Sequence, residues 1–235
     1  MISAVSPLPM LKATRFKVGD TLALVSFTSI AFKHELKYIN LILSKQKLKV
    51  KVATHTLDKY GYLAGKDIDC AADINTMFAD DEVKALITSR SGWGSSRILS
   101  LLNYNLIRKN PKIIIDYSDI TALLLAIYPG SGLVTFHGSS ATSIWNKFSV
   151  AYLKDILFEE KAMSWQAPRN IAETIIDGKG RGRLLGGNLS VLAGMMGSNF
   201  LPDWWGKILF VEEVGEDVDR VDSMLTQLNL IVILQ

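Results

Sequence analysis

Four short segments of this 235-residue chain bring together residue types that could do nucleophilic chemistry. The first is KIIIDYSDITALLLAIY, residues 112–128. Its apolar start reads as a buried strand ending at Ile115, its second half as a helix from Asp119, and Ser118 sits in the turn between them. A serine at such a junction lifts its hydroxyl above the sheet edge, beside the free N–H groups of the helix start, and those donors can stabilise an oxyanion. The same pattern suits a plain helix cap, with Ser118 as N-cap and Asp119 in support. The second segment, SRSGWGSS at 89–96, carries Gly92 and Gly94 after another apolar run. Such a loop presents backbone N–H groups to a carboxylate or oxyanion, or serves as an ordinary strand–helix turn. The remaining two are LLGGNLSVL at 184–192 and ILFVEEVGE at 208–216. In the latter, Glu212 and Glu213 follow a strand, where a carboxylate orients a histidine, binds an amine, or belongs to a solvated acidic loop.

The elements that must hold these segments are legible in the hydrophobic pattern. Apolar runs at 21–26, 48–56, 83–88, 113–115 and 133–136 read as strands, and helical spacing fills 29–48, 69–78, 95–102 and 119–128. Strand alternating with helix implies an α/β fold with a mostly parallel sheet covered on both faces. The pattern then changes. An amphipathic mixed-charge segment at 147–161 and a polar stretch at 164–171 lead to a glycine-rich region, a strand at 207–211 and a helix at 221–230. The expected organisation is an N-terminal α/β domain over 1–146 carrying the serine, a linker over 147–173, and a C-terminal domain over 174–235.

Composition narrows the function classes. Hydrophobic residues make up 49% and charged residues 21%, an ordinary globular balance, with a net charge of only +3. No Lys/Arg cluster points to nucleic acid. A single cysteine, Cys70, rules out an internal disulfide, and with three histidines speaks against a Cys/His metal site. The charge-free stretches at 120–146 and 184–202 are broken by proline, glycine or asparagine, so neither reads as a membrane span. With no signal-like segment, a cytoplasmic protein without metal or cofactor is expected.

Five motifs, in order, resemble the LD-carboxypeptidases, the murein tetrapeptide carboxypeptidases with their microcin C immunity relatives. They are Ser-Gly-Trp-Gly-Ser at 91–95, Tyr-Ser-Asp-Ile-Thr-Ala-Leu at 117–123, His-Gly at 137–138, Gly-Arg-Leu-Leu-Gly-Gly-Asn-Leu-Ser at 182–190, and Ile-Leu-Phe-Val-Glu-Glu-Val-Gly-Glu at 208–216. The resemblance implies a flavodoxin-like first domain, a smaller β-rich second domain with the site between them, and a homodimer. It also implies a serine peptidase with a Ser-Glu-His triad that cleaves the L,D-bond to a terminal D-alanine in murein peptides. The nucleophile then falls on Ser118, the triad glutamate on Glu212, and the oxyanion donors on the backbone of Gly92 and Asp119. In the glycine loop, Arg90 and Trp93 are the candidate substrate-binding residues; Arg90 would meet the free carboxylate or else be a structural ion-pair residue.

The departures from the family pattern set further expectations. The family's triad histidine lies well beyond the glutamate in a longer chain, and nothing after Glu212 here is a histidine. A C-terminal domain lacking its last part is therefore expected, with open sheet edges and self-association through the runs at 208–211 and 230–234. Without a base Ser118 stays protonated and weakly nucleophilic. His137 follows the fifth strand, but the family does not use its His-Gly as the base. Asp116 stands where the family often has glycine, and Ser91 replaces the first residue of a frequent Gly-Gly. Two competing expectations follow: a catalytically inactive relative that binds peptides, and an unrelated α/β module for a small ligand.

Overall fold

The computed structural model describes residues 8–164, 166, 172–231 and 233. Five strands form one sheet: β1 (Thr21–Val25), β2 (Lys49–Val52), β3 (Val83–Thr88), β4 (Ile113–Asp116) and β5 (Phe136–His137). Their order is β2-β1-β3-β4-β5, and every pair is parallel. Parallel strands need crossovers, which α1 (Lys33–Lys45), α2 (Asp67–Ala79), α3 (Tyr104–Lys109) and α4 (Thr121–Ser131) supply. Alternation sends Leu22, Leu24, Ile113 and Ile115 to one face, against Ile39 and Leu43 of α1. It sends Ala23, Val25 and Ile114 to the other, against Ile74 and Phe78 of α2 and Leu123 and Ile127 of α4. Because both faces are covered, the central strands read as unbroken apolar runs.

The second unit contains β6 (Arg183–Asn188) and β7 (Lys207–Glu212), paired in parallel, with α6 (Leu189–Gly194) and α7 (Val218–Leu230). Leu189, Leu192, Met224 and Leu228 join the same core cluster as α4. A close backbone approach fastens the two units at the start of α4. The Asn188 N–H donates to Thr121 Oγ1 at 2.9 Å, and a Cβ on Gly187 would lie 2.5 Å from that same oxygen. Gly187 also has φ +148°, a conformation that strains any other residue. Gly187→Ala is expected to cost about 2–4 kcal/mol through backbone strain and overpacking. Urea unfolding checks this, and a wild-type midpoint would refute it.

Three features differ from the sequence reading. Helix α3 is a short element capped by Asn103, whose side chain accepts the Leu106 N–H, and one turn gives too little periodicity to detect. Strand β6 was hidden by Gly186 and Gly187, which disfavour strands. Residues 147–157, in the expected linker, form helix α5 (Lys147–Leu157); its Leu157 carbonyl accepts the Phe16 N–H at 2.8 Å, against the first sheet. Of the polar stretch at 164–171, residues 165 and 167–171 lie outside the described residues, as do 232 and 234 of the run at 230–234. On the small sheet Leu184, Ile208 and Phe210 are exposed. No helix among the described residues is long and apolar enough to cross a membrane.

Candidate active site

Strand β4 delivers the chain to Ser118, which stands at φ +64°, in the left-handed region. A serine there costs about 1–3 kcal/mol and persists only where the surroundings over-determine it. Here they do: Ile120 and Leu123 are fully buried behind it, and the Gly138 N–H holds the Asp116 carbonyl at 2.9 Å. A 3₁₀ turn, Ser118–Ile120, then leads into α4. Neither element is capped by a side chain, which removes the helix-cap reading of Ser118. The residue is half-buried and faces a cleft of about 310 Å³.

The glycine loop at 89–94 borders the same cleft. A Cβ on Gly92 would sit 2.0 Å from Ser29 Oγ and 2.8 Å from the Ser29 nitrogen, so only glycine fits. Downstream, the Ser95 N–H donates to Asp119 Oδ2 at 2.7 Å and the Ser95 hydroxyl to the Asp119 carbonyl. Burial raises the Asp119 pKa, while the Ser95 hydrogen bonds pull it back. Among the described residues, the turn and loop hydrogen bonds engage neither the Gly92 nor the Asp119 N–H. Both residues border the Ser118 cleft. Gly92→Ala must displace this loop, and is expected to lower kcat about 10²–10³-fold, the loss typical of one oxyanion donor. Steady-state rates at saturating substrate check it; an unchanged kcat would remove Gly92 from the site.

Glu212 ends β7, in register with Asn188 on β6. Its neighbour Glu213 is fully engaged: Oε2 accepts the Ser190 N–H (2.8 Å) and hydroxyl (2.6 Å), and Oε1 accepts Asn188 Nδ2 (3.2 Å) and the Val214 N–H (2.9 Å). Burial raises the Glu213 pKa, but these bonds outweigh it and hold the carboxyl below its ordinary value. Glu212 Oε1, by contrast, is buried without a hydrogen-bond partner. His137 Nε2 lies 3.6 Å from it, too far for a hydrogen bond. Burial raises the Glu212 pKa, with a smaller push from Glu213 against a bond from Asn188, and burial lowers that of His137. Of the two adjacent acids, one is spent on structure and the other retains an unused oxygen.

The cleft brings together Gly92, Trp93, Ser118, Asp119, Glu212 and Glu213. Trp93 is 66% exposed at its edge. Arg90 is not in the lining. Its guanidinium pairs with Glu35 at 3.3 Å and lies 5.6 Å over the Phe32 ring. Sequence reasoning missed the part of Asn188, which ties β6 to Thr121 and Glu213; its signal was the Gly-Gly-Asn run. His55, Asp58 and Asp69 form a cluster of possible metal donors outside the cleft, with His55 Nδ1 already 2.8 Å from Asp58 Oδ2.

The sequence profile of the LD-carboxypeptidase N-terminal domain matches residues 22–138, and that of its C-terminal domain matches 181–235. A probable murein peptide carboxypeptidase of Bacillus subtilis (strain 168) is 38% identical over 216 residues, covering 90% of this chain and 68% of the relative. The chain belongs to the LD-carboxypeptidase family. Among solved structures of this family, an MccF-like protein from Bacillus anthracis str. Ames superposes with a TM-score of 0.83 at 26% identity, over 94% of this chain and 76% of that one. MccF in complex with glutamyl sulfamoyl guanosine gives a TM-score of 0.82 at 25% identity, over 95% and 76%. The LD-carboxypeptidase fold accounts for the parallel sheet followed by a small second sheet.

Proposed function

We propose that this chain is a serine carboxypeptidase that cleaves the L,D-bond to a terminal D-alanine in murein tetrapeptides. The observation that carries the reading is the strained Ser118, which lines the same cleft as Glu212, whose Oε1 has no hydrogen-bond partner. Ser118 attacks the scissile carbonyl, and the Gly92 and Asp119 N–H groups hold the oxyanion. Glu212 orients the imidazole that takes the serine proton. His137 meets Glu212 but does not line the Ser118 cleft, so the imidazole of this scheme is the histidine that the family resemblance places beyond the glutamate. The acyl-enzyme is then hydrolysed by water, and the scheme needs no metal or organic cofactor. The named activity of the Bacillus relative and the glutamyl sulfamoyl guanosine bound to MccF both support a small peptide-like substrate. In this reading residues 1–146 supply the nucleophile, 147–173 link, and 174–235 supply the glutamate, in a cytoplasmic homodimer.

Release of D-alanine from an L,D-murein tetrapeptide by the purified chain tests the reading. Release that depends on Ser118 supports it, and none over a day refutes it for this chain. A second reading, a peptide-binding module without catalysis, is favoured by one observation: His137 touches Glu212 but does not line the Ser118 cleft. That module binds tetrapeptide without turnover and is not labelled at Ser118 by a fluorophosphonate. Arg90 serves as the carboxylate clamp only by exchanging Glu35 for substrate. In that role Arg90→Ala raises KM about 10–100-fold with kcat nearly unchanged, the worth of a charge-assisted bond. An unchanged KM leaves Arg90 as an ion-pair residue.

A further inference from the structure

Asp116 is the last residue of β4, two before Ser118, and its side chain is completely buried. The chemistry above does not use it. Its carboxyl gathers donors from β3, the glycine loop and the turn that carries Ser118. Oδ1 accepts the Tyr117 N–H at 2.7 Å and, more weakly, the Ser91 hydroxyl at 3.4 Å. Oδ2 accepts the Thr88 N–H at 3.2 Å and the Thr88 hydroxyl. Thr88 closes β3 and opens the glycine loop, Ser91 directly precedes Gly92, and Tyr117 directly precedes Ser118. No ion pair among the described residues involves Asp116, and burial pushes its carboxyl well above the ordinary range against the bonds from Tyr117, Thr88 and Ser91. A carboxyl kept in such a place is costly. Packing alone would be better served by an apolar side chain or by none.

The Ser91 and Asp116 side chains meet, joining the glycine loop to the elbow. The loop's downstream end is tied to the elbow by Asp119 through Ser95. Upstream, the Ser89 and Arg90 carbonyls accept the Thr142 and Thr28 hydroxyls, both at 2.9 Å. The bond from Ser91 is then the last side-chain tie before Gly92.

We propose that Asp116 is a positioning residue, whose carboxyl, through Thr88 and Ser91, fixes the Gly92 N–H relative to Ser118 before substrate arrives. Its catalytic consequence rests on the serine peptidase reading; the geometric claim does not. Two measurements on the full chain separate them. The first is amide hydrogen exchange. Asp116→Gly is expected to speed exchange about 10–100-fold at the bonded amides of Thr88 and Ser89 that root the loop, the loss of a hydrogen bond to a buried carboxyl, while β1 stays as in wild type. Asp116→Asn keeps one carbonyl oxygen as an acceptor and gives an intermediate effect; it also serves if the glycine variant fails to fold. Ser91→Gly added to Asp116→Gly contributes little more, because the tie is already lost.

The second measurement is the rate of phosphonylation of Ser118 by a fluorophosphonate. It is expected to fall about 10–100-fold in Asp116→Gly while tetrapeptide affinity is unchanged. Exchange at the Thr88 and Ser89 amides that stays at the wild-type rate, or rises only together with β1, overturns the proposal. So does an unchanged labelling rate in a labelled protein. If the wild-type chain is not labelled at all, the peptidase reading fails, and the exchange result alone decides the positioning claim.

Discussion

Ser118→Ala is expected to abolish D-alanine release and fluorophosphonate labelling together, a loss of about 10⁴-fold or more in turnover. The hydroxyl is the only atom of residue 118 that can be acylated, so no neighbour takes over the covalent step. Folding should survive. The residue is half-buried, and neither the 3₁₀ turn nor α4 depends on its side chain for a cap. Alanine is less tolerant than serine of φ +64°, so a small loss of stability is expected while the circular dichroism spectrum is retained. Mass spectrometry of labelled wild type should place the phosphonyl group on Ser118. Label on another residue, or D-alanine release by Ser118→Ala at the wild-type rate, would sink the assignment.

The second large effect is expected at Glu212. Glu212→Gln keeps the shape but removes the charge that orients an imidazole, and kcat should fall about 10³–10⁴-fold. Its pH behaviour separates a catalytic role from a structural one. Burial raises the Glu212 pKa above its ordinary 4.5, so the carboxylate forms only as pH climbs past that value. A rate that needs the carboxylate therefore rises with pH across this window, and the Gln variant lacks that limb. Stability runs the opposite way. Because the folded pKa is above the unfolded one, the unfolded chain ionises first as pH rises, and the charged Glu212 lowers stability above that window but not below about pH 4. Glu212→Gln is thus expected to be at least as stable as wild type at neutral pH while nearly inactive. Equal losses of activity and stability would assign Glu212 a structural role. The neighbouring Glu213→Gln should do the reverse, since that carboxyl is held by Ser190, Asn188 and the Val214 amide.

Why some of this was legible in the sequence, and some not, follows from the range of the interactions concerned. Strand β3 was read to the residue because its apolar run is bounded by charged residues on one side and the glycine loop on the other. The parallel sheet followed from the alternation of strand and helix. Ser118 was found but not decided: a cap and an elbow share one sequence pattern, and only the backbone angle distinguishes them. By residue type alone Glu212 and Glu213 both qualify, and only the family resemblance singles out Glu212; what separates them physically is the contact of Glu213 with Ser190 and Asn188 more than twenty residues away. Strand β6 was obscured for a related reason. The glycines that weaken its strand character answer to close neighbours, Thr121 at Gly187 and the Phe210 backbone at Gly186, a long-range demand that no local propensity encodes.

That approach has a consequence for exchanging parts between relatives. Thr121 begins the helix that follows Ser118, and its hydroxyl is the acceptor for the Asn188 amide of the second unit. The clasp and the elbow thus share one helical turn. A chimera that grafts the second unit of one relative onto the first of another must transplant a compatible residue 121 together with the 186–188 segment. A mismatched graft would misalign Ser118 as well as the graft itself, leaving a folded but silent hybrid.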